Sequence, residues 1–394
     1  MIPKERAGPP PVALRNDPRF RSLLYQLVLV LALAGLGYAF FANAEANLGA
    51  RNIASGLGFL QNTAGFGISQ SLIPYSESDT YGRAFLVGLL NTILVAGLGI
   101  LLATILGFII GIARLSTNWL IARLAGAYVE VIRNLPHLFH ILFWYLAVLS
   151  TLPPPRQSIS VFGAILLSIR GIVVPAVQPT EGAGYVALAF GVGVLAAIVL
   201  MLRAKRLREQ TGRQEPVLWI AVSLILGLPA AALVATGFPL MVELPRLVGF
   251  NIVGGLPIRP EFVALLVALT IYTASYIAEV VRAGILAVPR GQTEAALALG
   301  LRRSQVLRLV VLPQALRIIV PPLANQYLNL TKNTTLGVGI GYPDLFAVFA
   351  GTTLNQTGQA IEIIAITMAV YLVLSLATSL LMNWYNSRVR LIER

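Results

Sequence analysis

The sequence predicts an all-α, polytopic membrane protein of about eight transmembrane helices, and three observations carry that expectation. Hydrophobic residues make up 57% of the 394 and charged residues 11%, with a mean hydropathy of +0.79. An ordinary soluble domain is about 25% charged. Uncharged stretches such as 84–113 exceed the roughly 20 residues that cross a bilayer core. Finally, an eight-span threading puts 22 of the 29 Lys and Arg residues on one side and six on the other, with Lys332 inside a span. That is the asymmetry of the positive-inside rule. The same rule accounts for the net charge of +13, spread over many short loops, and no nucleic-acid partner is expected. Cysteine is absent, which excludes disulfides, thiol catalysis and Cys-based metal sites.

Taken in order, residues 1–21 carry Lys4, Arg6, Arg15, Arg19 and Arg21 beside a Gly-Pro-Pro-Pro run and read as a disordered cytoplasmic tail. Ser22–Ala44 is the first span. Ala42-Asn43-Ala44 mimics a signal-peptidase site, but the apolar run is long for a signal sequence, and an uncleaved anchor is expected. Residues 45–82 are polar and Gly-rich and belong on the far side. Ala84–Ala113 comes next, with Gly107 and Gly111 offering a close helix contact. A basic loop with Arg114, Arg123 and Arg133 leads to a third span, Asn134–Leu149, begun by an amphipathic turn around Glu130. Arg170 and Pro175 interrupt 159–177, which reads as an external or re-entrant segment; as a span it would reverse every later loop. Gly182–Leu202 and Val217–Gly237 flank a strongly basic loop, and Phe262–Val281, Ile318–Ile340 and Ile363–Trp384 complete the eight. Both termini are then cytoplasmic. The organisation expected is a tail, first span and periplasmic segment (1–82), a core part (83–150), an insertion with two extra spans (151–240) and a second core part (241–394).

Within that last part, Pro289–Pro313 is kept out of the hydrocarbon by Arg290, Arg302, Arg303 and Arg308. Gln292–Leu299 is rich in helix formers, with Glu294 expected in the first turn. Gly300 is placed to end that helix in the left-handed conformation, and Ser304 to cap a second short one. Ala295 and Ala296 leave a smooth face. On the residues alone, an ordinary interfacial loop fits equally well.

Glu294-Ala295-Ala296, then Gly300, then Val310-x-Leu312-Pro313 resembles the EAA loop of binding-protein-dependent ABC importer permeases, with Val310 where Ile is usual. The resemblance implies a coupling helix that docks on a separate ATPase, with Glu294, Ala295, Ala296, Gly300, Leu312 and Pro313 as the coupling residues. It extends over about 82–150 and 240–390. Gly88, Asn91 and Thr92, Arg133-Asn134-Leu135-Pro136, and Asn325–Leu336 are similar to the five-span core of the polar amino acid branch. The extra first span and the inserted pair depart from that core. Together with residues 70–85 and 341–351 they resemble the Q-type permeases of general L-amino acid importers of Gram-negative bacteria. The resemblance implies a multi-pass subunit of the bacterial inner membrane, surrounded by lipid. Its implied partners are an ABC ATPase dimer, a second homologous permease forming a heterodimer, and a periplasmic amino acid binding protein meeting loops 45–82 and 341–360. No cofactor is expected on this chain, ATP–Mg being held by the ATPase.

Catalytic patterns are thin, and no enzyme is expected. The three lysines come after Pro3, Ala204 and Thr331, so there is no P-loop. His137 and His140 lack companions at metal-ligand spacing. Asn325, Asn329, Lys332 and Asn333 recur at helical spacing, and such residues in a span face a bundle interior or a wet cavity. They are candidates for a substrate pathway, with Lys332 available to a carboxylate; alternatively Lys332 snorkels outward or pairs with Glu362. Tyr272, Ser275, Tyr276 and Glu279 share a face and add Tyr276 and Glu279 to that pathway, unless the hydroxyls bond their own backbone. Pro321 and Pro322 either kink the seventh span or mark its first turn. The rival to an ATP-driven importer is an ion-coupled secondary transporter of a small polar solute, for which Glu279 is the one clear acid. A third reading is an assembly or regulatory membrane protein.

Overall fold

The computed structural model describes residues 18–50, 55–211, 217–238 and 240–389. The tail cations Lys4, Arg6 and Arg15, and the loop residues Arg51 and Arg213, lie outside these. Helices α1 (Pro18–Ala50), α2 (Tyr81–Ala113), α5 (Ala183–Thr211), α6 (Val217–Ala235), α7 (Pro260–Leu286) and α12 (Ala360–Val389) each contain a stretch long and apolar enough to cross a membrane. So does the run from α9 (Arg303–Val306) through α10 (Leu312–Asn333) to Ile340, giving seven such helices among the described residues.

The eighth candidate is a bent pair. Asn118 caps α3 (Trp119–Asn134) by accepting from the Leu120 and Ile121 amides. The helix stops because Leu135 precedes Pro136, and a residue before proline is pushed to extended backbone (φ −100°, ψ 136°). Helix α4 (His137–Leu142) restarts and runs on as a π-helical stretch to Leu149, bent by 107° from α3. The span expected over Asn134–Leu149 is therefore the second limb of a bent pair, starting at His137, with the amphipathic turn around Glu130 extended into a full helix, α3.

Residues 159–177 are neither helix nor loop. They form β1 (Ile159–Val161), β2 (Ile165–Ser168), β3 (Gly171–Val174) and the start of β4 (Ala176–Pro179). Four more strands come after α6: β5 (Leu240–Glu243), β6 (Arg246–Val248), β7 (Asn251–Val253) and β8 (Leu256–Ile258). The order β1-β2-β3-β8 makes one antiparallel sheet, and β4–β5 and β6–β7 are two-stranded ribbons. The strands paired with those of 159–179 thus run on to Ile258, past the 240 boundary taken from the extent of the resemblance.

The chain divides into two compact units. One holds residues up to Leu89 with 345–373, and its core gathers Phe59, Ala64, Tyr81, Leu345, Phe349 and Ile363. Phe85 meets Phe349 edge-on at 5.1 Å, and Tyr81 donates to Gln356 Oε1 at 2.9 Å. The polar, Gly-rich stretch is therefore folded from residue 55 onward: Thr63 bridges Thr80, and the Tyr75 hydroxyl donates to Phe66 O at 2.8 Å. Burial, then the nearby Asp79 and Glu77, push the Tyr75 phenol above its usual pKa.

The other unit, 90–344 with 374 onward, is built around α7. Leu265, Leu269, Ile277, Ala278 and Val281 of that helix are fully buried, and α3, α4 and α10 pack on it. The contact with α2 is closer than any side chain would permit. A Cβ at Gly107 would sit 2.5 Å from Ile277 Cγ2, and one at Gly111 would sit 2.7 Å from Ala278 O. The Gly107/Gly111 expectation is met by backbone-to-backbone packing of this kind. One turn further, Glu279 takes both Arg114, at the end of α2, and Arg282, whose Nη2 lies 2.6 Å from Oε1. Helix α10 begins with Pro313 in its first turn and carries Pro321 and Pro322 in its interior, so the proline pair is not the helix start.

This packing makes two statements about stability that mutagenesis can check. Gly111→Val should lower thermal stability in detergent by about 1–3 kcal/mol through overpacking. Gly97→Ala, on the same helix with open space around it, should be neutral or slightly stabilising. In the ion cluster, Glu279→Gln strands two guanidiniums while Arg114→Gln leaves the Glu279–Arg282 pair intact. Glu279→Gln should therefore lower the melting temperature more. These groups are part-exposed, so the loss should fall between the ~1 kcal/mol of a surface pair and the 3–5 of a buried one.

Candidate functional site

Two sites emerge, one on the loop between α7 and α10 and one on the faces of those helices. The loop holds α8 (Arg290–Ala298) and α9, joined by a tight turn. Pro289 sets the start of α8, so the helix begins two residues earlier than its composition indicates. Glu294 consequently falls past the first turn, which contains no acid. Gly300 takes φ 82° and its amide bonds Leu297 O at 2.9 Å, while the Leu301 amide reaches back to Ala296 O at 3.3 Å. This is a left-handed helix stop that only glycine adopts freely. Ser304 does not cap α9; Arg302 is the N-cap, and its amide donates to the Gln305 side chain at 2.9 Å.

The two alanines do not share a face. Ala296 is buried against the chain, whereas Glu294, Ala295 and Gly300 are exposed. Pro313 is exposed and Leu312 half-buried. A side chain that sequence reasoning misses is Leu299, 83% exposed at the end of α8. Its signal in the sequence is its place immediately before the helix-stopping glycine.

The second site is a polar cavity of about 300 Å³ lined by Tyr272, Thr273 and Tyr276 of α7 and by Gln326, Asn329 and Asn333 of α10. Among the pathway candidates it brings together Tyr276, Asn329 and Asn333. Asn325 and Lys332 do not line it; both are exposed on α10. Gln326 replaces Asn325 because the helix phase is set by 326, 329 and 333. The Tyr272 and Tyr276 hydroxyls are 3.0 Å apart, and the Arg133 guanidinium lies 4.8 Å from the centre of the Tyr276 ring. His137 stacks on Tyr272 at 4.1 Å and 6°, fixing that wall, and His140 sits 3.2 Å from Ile132 O. Ser275 bonds back to Tyr272 O at 2.6 Å, as hydroxyls in apolar helices do.

Glu279 is not in the cavity. Its two guanidinium partners make it a structural anion, which removes the free acid that an ion-coupled transporter needed. Glu362 accepts from the Gly56 amide at 2.7 Å, and no ion pair to Lys332 is present among the described residues. The arrangement offers amides and hydroxyls for hydrogen bonding and contains no nucleophile–base pair.

Residues 210–391 match the family described as the binding-protein-dependent transport system inner membrane component. Over 380 residues the chain is 52% identical to the general L-amino acid transport system permease protein AapQ of Rhizobium johnstonii, covering 96% of this chain and 94% of that one. It is 50% identical over 382 residues to the putative amino-acid ABC transporter permease protein YhdX of Escherichia coli, covering 96% of each. A glutamate/glutamine/aspartate/asparagine transport system permease protein of Rhodobacter capsulatus is 43% identical over 410 residues, again over 96% of each. With likeness of that extent running through both core parts and the insertion, the chain belongs to the family of binding-protein-dependent ABC transport system inner membrane components, as a permease subunit.

Proposed function

We propose that this permease imports L-amino acids across a bacterial inner membrane, driven by ATP hydrolysis on a separate ATPase dimer. The observation that carries the coupling step is α8: a nine-residue helix, stopped by a left-handed glycine and exposed between two core helices. Glu294, Ala295 and Leu299 form the part presented to the ATPase, Gly300 fixes its end, and Ala296 ties it to the core. Leu312 and Pro313 start α10, so a displacement of the loop is delivered directly into that helix. Supporting the substrate class are the names of the relatives, which concern amino acids.

The cavity between α7 and α10 and the exposed Asn325 and Lys332 form this subunit's half of the pathway. A polar stripe left open along an apolar helix needs a partner surface, which a second, homologous permease would supply. Lys332 would meet the substrate carboxylate, while Asn329, Asn333 and Tyr276 hydrogen-bond the rest. A periplasmic binding protein delivers the amino acid, both termini are cytoplasmic, and ATP–Mg stays on the ATPase with no cofactor on this chain.

The test is reconstitution of the permease pair with its ATPase and binding protein in proteoliposomes. Amino acid plus binding protein should stimulate ATP hydrolysis and drive uptake without an ion gradient. Leu299→Asp and Glu294→Lys should abolish that stimulation while assembly in the membrane persists; retained stimulation would rule out the docking role of α8. Lys332→Ala should lower uptake by roughly tenfold, the ~1.4 kcal/mol of a charge-assisted contact, with basal ATP hydrolysis unaltered. Uptake equal to the parent's would exclude Lys332 from the pathway.

A further inference from the structure

The inserted β-strands have no part in the coupling loop or the polar cavity, yet their geometry is specific. Only Pro175 separates β3 from β4. One residue cannot turn a hairpin, so Gly171–Pro179 leads from the four-stranded sheet into the β4–β5 ribbon without doubling back and reaches at most roughly 30 Å at ~3.3 Å per residue. At its start, Ile172 pairs with Ile258, and Pro260 of α7 comes closely after. At its end, Pro179 pairs with Leu240, the first lying just ahead of α5 and the second just after α6. Chain reach of ~3.6 Å per residue keeps both ends within about 20 Å of the mouths of those helices. All three helices are long and apolar enough to cross a membrane. Both ends of the segment are therefore held close to the points where membrane-crossing helices begin or end.

The registers then decide what faces down. Ile159, Leu167, Ile172 and Ile258 form one row straight across the four strands, and Val161 and Leu256 continue the same face. Ile258 packs against the core around α7, Val161, Leu167 and Ile172 are half-buried, and Ile159 and Leu256 are 49% and 56% exposed, so the face opens outward away from α7. On the opposite face Ser168 and Val173 are buried within the protein. The β1–β2 turn is equally unusual. Phe162 is 97% exposed with φ 52°, and Gly163 beside it has φ 69°. Such a turn favours Asn-Gly, and a bulky side chain at positive φ is strained. The β6–β7 tip repeats the theme with Gly249 at φ 63° and Phe250 exposed beneath the Arg156 guanidinium. Arg170, Arg246 and Arg259 are exposed around the layer. Of the neighbouring acids, Glu243 accepts from Gln178 and Glu261 from the Tyr145 hydroxyl, while Glu181 is exposed past the end of β4.

We propose that this sheet is a lipid-binding element, with its aliphatic face and the Phe162 tip seated in the headgroup–acyl boundary of the leaflet from which α5 and α7 start. The exposed arginines then meet headgroup phosphates. This rests on those helices crossing the membrane and is independent of what is transported. Aliphatic side chains without a charge among them suit hydrocarbon, and basic residues at the rim suit a phospholipid surface.

The chain contains no cysteine, so single labels can be placed on the full chain without background. Val161→Cys and Leu256→Cys report the aliphatic face, Phe162→Cys the tip, and Ser160→Cys the opposite face. Each is labelled with bimane in the assembled transporter in phosphatidylethanolamine–phosphatidylglycerol nanodiscs. Quenching by spin-labelled lipid should be several-fold stronger at the first three sites than at Ser160, and iodide should show the reverse order. Iodide quenching of the face as strong as that of Ser160 overturns the proposal, because the sheet then stands in water. Protection from both quenchers also overturns it, since another subunit then covers the face. Phe162→Asn suits the turn and folds at least as well. Weaker lipid quenching at Leu256→Cys in that background supports the tip as an anchor, and unchanged quenching removes the tip from the proposal.

Discussion

The second unit depends on one contact, the approach of α2 to α7 at Gly107 and Gly111. There is room for backbone and none for a side chain on the α2 side. In hydrocarbon, burial of apolar surface gives helices no reason to associate, so van der Waals fit has to supply it. Gly284 repeats the device two turns further along α7 from Ile277, against Ile319 of α10. With α2 and α10 both seated closely on it, α7 is held as a rigid post, and its polar residues are positioned by packing instead of by their own flexibility.

That rigidity connects the two sites. Tyr272 and Tyr276 line the cavity, Glu279 one turn on is clamped to Arg114 and Arg282, and a few residues later Pro289 opens α8. The cavity wall and the docking loop therefore hang on one helix. Helix α10 leaves the far end of the same loop and carries Gln326, Asn329 and Asn333 to the other wall. The two walls of the cavity are thus joined through the loop proposed to meet the ATPase. A push on that loop acts on both helices, and a change of angle between them changes the cavity. Since packed interfaces shift between discrete arrangements and do not deform smoothly, the proposed docking on that loop would switch the cavity between discrete states.

How much of the fold and of the sites is legible in the sequence depends on the range of each signal. Uncharged runs announce spans because each run is self-contained. The glycine stop of α8 is equally local and equally visible. The strands are not. ISVFGAILLSIRGIVV has no clean alternation, since the face opposite the aliphatic one also carries Leu166 and Val173. The partner that makes β3 a strand, β8, lies more than 80 residues away. Glu279 is hard to place for the same reason: its helix neighbours point to the tyrosines, but its partner Arg114 comes 165 residues earlier. The choice of Asn325 over Gln326 is a phase error of one residue, which helical spacing alone cannot resolve when amides stand side by side.

The pairing of β3 with β8 also bears on how the inserted segment is held. Paired strands run about 5 Å apart, so the chain reaches α5 and returns to α7 through adjacent strands, and between them β4 pairs with β5 and β6 with β7. Ser168 and Val173 are buried behind that pair and Ile258 lies on the core around α7, so the strand pair is also the seam through which the inserted segment is keyed to its host.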